Sequence, residues 1–166
     1  LDKGNKLVAN IERAEKMRQI KIDQIKKNLN KSRMPDLIKR AALNALPTDL
    51  LEISKKQFWL SSFAVRRDGA IVSSRNGSPY CTSTEHYQKQ AKSHSEVRCL
   101  FKAGKGSTLY VARISRENFG LAMSRPCCSC RIFLKSYKVE KVYYTINNEC
   151  FGIFYPKKDY DQIVMV

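Results

Sequence analysis

Histidine is scarce in this 166-residue chain: there are two, His86 and His94, alongside one Trp, five Pro and seven Gly. A Ser-His-acid hydrolase triad therefore has little to draw on. The glycines do not assemble a phosphate-cradling loop, because Gly104-Lys105-Gly106 lacks the rest of a P-loop pattern and reads as a turn. No stretch approaches the roughly 20 apolar residues that a membrane-spanning helix needs, and there is no internal repeat or low-complexity tract. Acidic side chains are also few, 15 Asp and Glu against 31 Lys and Arg, for a net charge of +16. Six cysteines without a visible secretory leader do not signal a disulfide framework. The expected setting is intracellular and reducing, the cytoplasm first, or an organelle if a leader was removed ahead of Leu1.

What is present is concentrated chemistry. His94-Ser95-Glu96 is followed at Pro126-Cys127-Cys128-Ser129-Cys130 by a proline and two cysteines three apart. One neutral imidazole and two thiolates supply three of the four tetrahedral positions of Zn2+ and leave one for water, the arrangement of a catalytic rather than a closed structural site. Cys127 and Cys130 share a face of a helix starting near Pro126, which suits a first turn because it lacks an N–H. That turn's partial positive charge favours thiolate. A closed structural site needs a fourth protein ligand, for which Cys81, Cys99 and His86 are candidates.

The flanking sequence predicts alternating elements. Phe58 to Arg66 and Ala70 to Ser74 are β-favouring runs joined across Asp68-Gly69, a tight-turn dipeptide. Val97, Leu100 and Phe101 sit at helical spacing in a helix from Glu96 to Ala103 that Gly104 stops. Ser107 to Ile114 reads as a third strand. Ile132, Phe133 and Leu134 are the apolar share of the helix bearing the cysteines, and Lys141 to Ile146 follows as a fourth strand.

From about Asp36 onward, these motifs and this order resemble the zinc-dependent cytidine and deoxycytidylate deaminase superfamily. The resemblance implies an α/β, three-layer fold with a mixed five-stranded sheet flanked by helices. It assigns zinc to His94, Cys127 and Cys130, proton transfer to Glu96, and a sugar contact to Asn76 in Arg75-Asn76-Gly77. A turn asparagine before glycine is also commonplace. The implied reaction is hydrolytic: a water activated by the metal attacks the amine-bearing ring carbon, with cytosine favoured over adenine, and Glu96 moves the protons. The lead-in Met123-Ser124-Arg125 differs from that of many relatives. For the last strand two readings compete. Cys150 to Tyr155 would form an antiparallel hairpin with the fourth strand and is favoured. Ile163 to Val166 would instead pair parallel after a crossover.

Residues 1–34 are expected to form a basic amphipathic helical extension to a 35–166 zinc domain. Leu7, Ile11, Ala14, Ile22, Ile25 and Leu29 make its stripe, interrupted by Arg18. Asp36 to Leu46 reads as the next helix, ending before Pro47. The first helix can pack on its own domain or engage a partner helix, including a second copy; Asp2, Glu12, Glu15 and Asp23 argue against a mitochondrial targeting helix. Positive charge is spread along the chain, with 14 basic against 7 acidic residues up to position 60 and 17 against 8 after it. Such charge exceeds what a mononucleotide requires and implies RNA or single-stranded DNA, as substrate or within a ribonucleoprotein assembly. Tyr80, Tyr87, Lys89 and Lys92 in the loop from Gly77 to Ser93 suit base stacking and phosphate contact, or a solvated loop. Arg66, Arg67, Arg75, Arg113, Arg116, Arg125 and Arg131 are further candidates for phosphate. A non-catalytic alternative is a deaminase-fold RNA-binding subunit whose zinc is structural or vestigial.

Overall fold

The computed structural model describes residues 2–47, 59–76 and 94–166. Two helices come first, α1 (Asp2–Lys31) and α2 (Asp36–Ala45), followed by β1 (Trp59–Val65), β2 (Ile71–Arg75), α3 (Ser95–Ala103), β3 (Thr108–Ile114), β4 (Leu121–Ala122), α4 (Cys128–Ser136), β5 (Lys141–Thr145), β6 (Cys150–Tyr155) and β7 (Tyr160–Met165). The strands form one open mixed sheet in the order β2-β1-β3-β5-β6-β7, with the two-residue β4 paired to β3. Among the described residues the sheet thus has seven strands where five are expected.

Among the described residues only β3 and β5 run parallel, and α4 lies in the crossover that such a pair demands. The favoured hairpin is present, because β6 pairs antiparallel with β5. The competing segment is also a strand, but it turns back at residues 156–159 to pair antiparallel with β6 as β7. The β1–β2 turn closes through Arg66 N–H to Ala70 O at 2.8 Å and Ala70 N–H to the Asp68 carboxylate at 3.0 Å. Gly69 supplies the positive φ of 87° that this turn requires.

Strand periodicity divides the core between the two sheet faces. Phe63, Ala112, Ile114, Phe151 and Ile153 meet α1 and α2. Ala64, Leu109, Val111, Val142, Tyr144 and Phe154 meet α3 and α4. The expected stripe of α1 is only half used: Ile22, Ile25 and Leu29 are buried, whereas Leu7 and Ile11 are 62% and 46% exposed. Among the described residues, no helix is long and apolar enough to cross a membrane.

Candidate metal centre

The first turns of two helices bring the predicted ligands together. His94 is the N-cap of α3 and Cys127 the N-cap of α4, both with extended backbone, and Cys130 lies three residues into the latter. Pro126 therefore precedes the cap instead of opening the first turn, which corrects the expected helix start by two residues. Cap residues leave the helical path, so their side chains project past the helix end, where unpaired N–H groups and the positive dipole gather.

The donor atoms of His94, Cys127 and Cys130 all lie within 4.8 Å of one another. His94 Nδ1 stands 3.2 Å from Cys130 Sγ and 3.6 Å from Cys127 Sγ. Metal–sulfur and metal–nitrogen bonds of about 2.3 and 2.1 Å at a tetrahedral angle place such donors about 3.6 Å apart, so the group fits one small cation. Cys130 is buried, His94 half-buried and Cys127 exposed, which leaves one side of the group accessible.

Protons are shared across the three side chains. The Cys127 sulfur accepts from the Cys130 thiol and the His94 ring, and these contacts pull its pKa down to about 3. The same contacts raise Cys130, whose sulfur is also buried, and raise His94. A thiolate is the ligand form that a metal takes.

Glu96 lies outside the donor group, yet its charge is felt by His94 and Cys130. Its carboxyl is buried, and desolvation raises its pKa above the usual carboxylate range. Ser95 Oγ donates to Glu96 Oε2 at a long 3.4 Å and shares a 2.7 Å hydrogen bond with Ser62 Oγ of β1. This hydroxyl pair ties the start of α3 to the sheet.

Other predicted residues make contacts of their own. Asn76 caps the strand pair: its Oδ1 accepts from Leu60 N–H at 3.3 Å, and its own N–H donates to Leu60 O at 3.1 Å. Cys99 is buried against the sheet, donates to Val72 O and is pushed up to about 12 by burial; it does not join the donor group. Cys128 faces Arg131, 2.9 Å from its sulfur, and Cys150 donates to Asn147. Cys81, His86, Tyr80, Tyr87, Lys89 and Lys92 lie outside the described residues. Several candidate phosphate arginines are engaged internally: Arg66 with Asp68, Arg75 with Leu46 O, Arg113 with Met123 O and Arg116 over Trp59.

The partners of Ser124 and Arg125 are not legible in the sequence. Ser124 Oγ is 3.0 Å from Val111 O and 2.9 Å from Thr145 Oγ1, and it accepts from Thr145 N–H at 2.8 Å. It thereby pins the approach to Cys127 between the middle of β3 and the end of β5. Next to it, Arg125 forms a two-pronged ion pair with Asp161 of β7, at 2.7 Å for the shortest contact, and Tyr144 donates to the same carboxylate at 2.8 Å. Both groups join residues far apart in sequence, so no local pattern announces them.

Comparison with protein-family models, with curated proteins and with solved structures finds no match for this chain.

Proposed function

We propose that this chain is a zinc-dependent hydrolytic deaminase that converts cytosine to uracil in a nucleoside, nucleotide or single strand, on a cytidine-deaminase-like arrangement of sheet and helices. The observation that carries this reading is a three-member His/Cys/Cys donor group at two helix starts, with a buried carboxyl beside it but not within it. Zinc bound by His94, Cys127 and Cys130 would supply the Lewis acidity that makes a water nucleophilic near neutral pH. Glu96, with its raised pKa, is suited to hold and return protons. Its carboxylate takes a proton from the attacking water, gives it to the ring nitrogen beside the carbon under attack, and moves the second proton to the departing amine. One water is consumed, the C–N bond breaks, ammonia leaves and a carbonyl remains. The exposed Cys127 edge leaves a route for the base to approach.

The test is mass spectrometry of products from cytosine and adenine nucleosides, nucleotides and short single strands incubated with the zinc-loaded protein. A gain of about one dalton on the cytosine members, lost in Glu96→Gln, is expected. Unchanged turnover in Glu96→Gln would remove that residue from the chemistry. Bound zinc should be near one per chain and fall in Cys127→Ser and Cys130→Ser but not in Cys150→Ser. The net charge of +16 favours a second reading, an RNA-binding subunit with structural zinc. Salt-sensitive RNA binding with no product from any substrate, at full zinc occupancy, would select it.

A further inference from the structure

On the α1 and α2 side of the sheet, a cleft of about 470 Å³ opens between the end of α1, the β3–β4 turn and the β5–β6 turn. The metal centre does not use it, and none of its lining residues is a metal donor. We infer that this cleft is a second site, which binds a phosphate-bearing nucleotide unit.

The floor is apolar, formed by Ile25, Leu29, Ile114 and Leu121. The rim is polar and carries Lys31 and Arg33, while among the described residues no Asp or Glu side chain lines the cleft. Its volume lies in the range of small-ligand pockets, about 300–1,000 Å³. The chemistry of two rim asparagines is fixed by their neighbours. Asn118 Oδ1 accepts from Gly120 N–H at 2.9 Å, and Asn148 Oδ1 accepts from Leu121 N–H at 3.0 Å. A backbone N–H can bond only to the amide oxygen, so both Nδ2 groups are left as donors. Two amide donors and two cations around an apolar floor suit an anion attached to an organic body.

The turn that presents Asn118 is held in place. Phe119, the next residue, has a positive φ of 59°, uncommon for a large side chain, and its ring sits 5.5 Å from Trp59 with Lys21 Nζ above it. Such a conformation persists only where surroundings enforce it. Ile114, the last residue of β3, lines the cleft, and the segment after it leads on to Cys127. One connection therefore borders both sites.

Phosphate from a free nucleotide and phosphate from a strand backbone present the same chemistry, so the test carries both. Binding of inorganic phosphate, uridine 5′-monophosphate and a labelled oligouridylate would be measured by titration, with the side-chain amide NMR signals of Asn118 and Asn148 locating the ligand. Asn118→Asp and Asn148→Asp keep the Oδ1 acceptor and exchange only the donor for negative charge. Each should weaken binding about tenfold, as expected when a donor to an anion becomes a like charge. Asn10→Asp, the same change on α1 outside the cleft, should leave binding unaltered. Lys31→Gln with Arg33→Gln gives an equivalent reading that leaves both turns untouched. Binding of the monophosphate to the cleft identifies a free nucleotide, and binding of the oligomer alone identifies a strand. Equal losses in Asn10→Asp, or no binding of any probe to the wild type, would overturn the inference, whether or not deamination is observed.

Discussion

Removal of the Ser124 hydroxyl should loosen the segment that delivers Cys127. Ser124 and Thr145 are both buried, and Ser124 Oγ is the acceptor for Thr145 N–H at 2.8 Å and lies 3.0 Å from Val111 O. Ser124→Ala leaves that N–H without its acceptor and Val111 O without one donor. A buried polar group stripped of its partner costs about 1–3 kcal/mol, which puts the variant near 2–3 kcal/mol below wild type. Urea unfolding with m of about 2 kcal/mol/M translates this into a midpoint lower by about 1 M. Ser74→Ala is the matched control, because Ser74 Oγ is buried without a hydrogen-bond partner. Its removal relieves an unsatisfied group and should be neutral or mildly stabilising. Equal midpoints for Ser124→Ala and Ser74→Ala would refute the reasoning, since the loss of a hydroxyl would then matter irrespective of its partners.

Gly152→Ala should destabilise by about 2–3 kcal/mol, seen as a lower thermal midpoint. A methyl there overlaps the ring of the cross-strand neighbour Tyr144, and that ring is tethered by its bond to Asp161; an unchanged midpoint would show that the ring is free to move. Acid should selectively weaken the Arg125–Asp161 pair. The Arg125 guanidinium holds Asp161 below its ordinary value, so the stabilisation is full above the unfolded carboxylate value of about 3.9 and is lost as pH falls through the folded one. The side chains are 35% and 25% exposed, and solvent screening limits the contribution to about 1 kcal/mol. The stability gap between wild type and Asp161→Asn should therefore close from about pH 4 downward, and a pH-independent gap would contradict this. On α1, Ile25→Ala should cost about 2–4 kcal/mol in chemical denaturation, while Ile11→Ala should change stability by less than about 0.5 kcal/mol.

Much of the sheet and the donor group was legible because each rests on short-range pattern. β1, β2, β3 and β5 carry apolar runs broken by turn residues, and His94, Cys127 and Cys130 sit in compact motifs. β4 was missed because two residues cannot display a period. β7 is an edge strand whose side chains are mostly exposed, so no buried face marks it as the sixth position in the sheet. The half-used stripe of α1 marks another limit: helical spacing reports which residues share a face, not whether anything covers that face. The sugar contact expected at Asn76 comes from the resemblance; its Oδ1 also accepts from Leu60 N–H across the strand pair, a contact set by register rather than by the dipeptide.

The anchored end of α1 has a consequence for how the rest of that helix melts. A helix of 30 residues is about 45 Å long. Only its last third contributes buried side chains, and every residue from Asp2 to Met17 is exposed. Initiating a free helix is unfavourable, but here the docked turns serve as a permanent nucleus and the outer turns need only propagate from it. Amide protection should therefore rise as a gradient along the exposed turns toward Ile22, and opening of those turns should leave the sheet undisturbed.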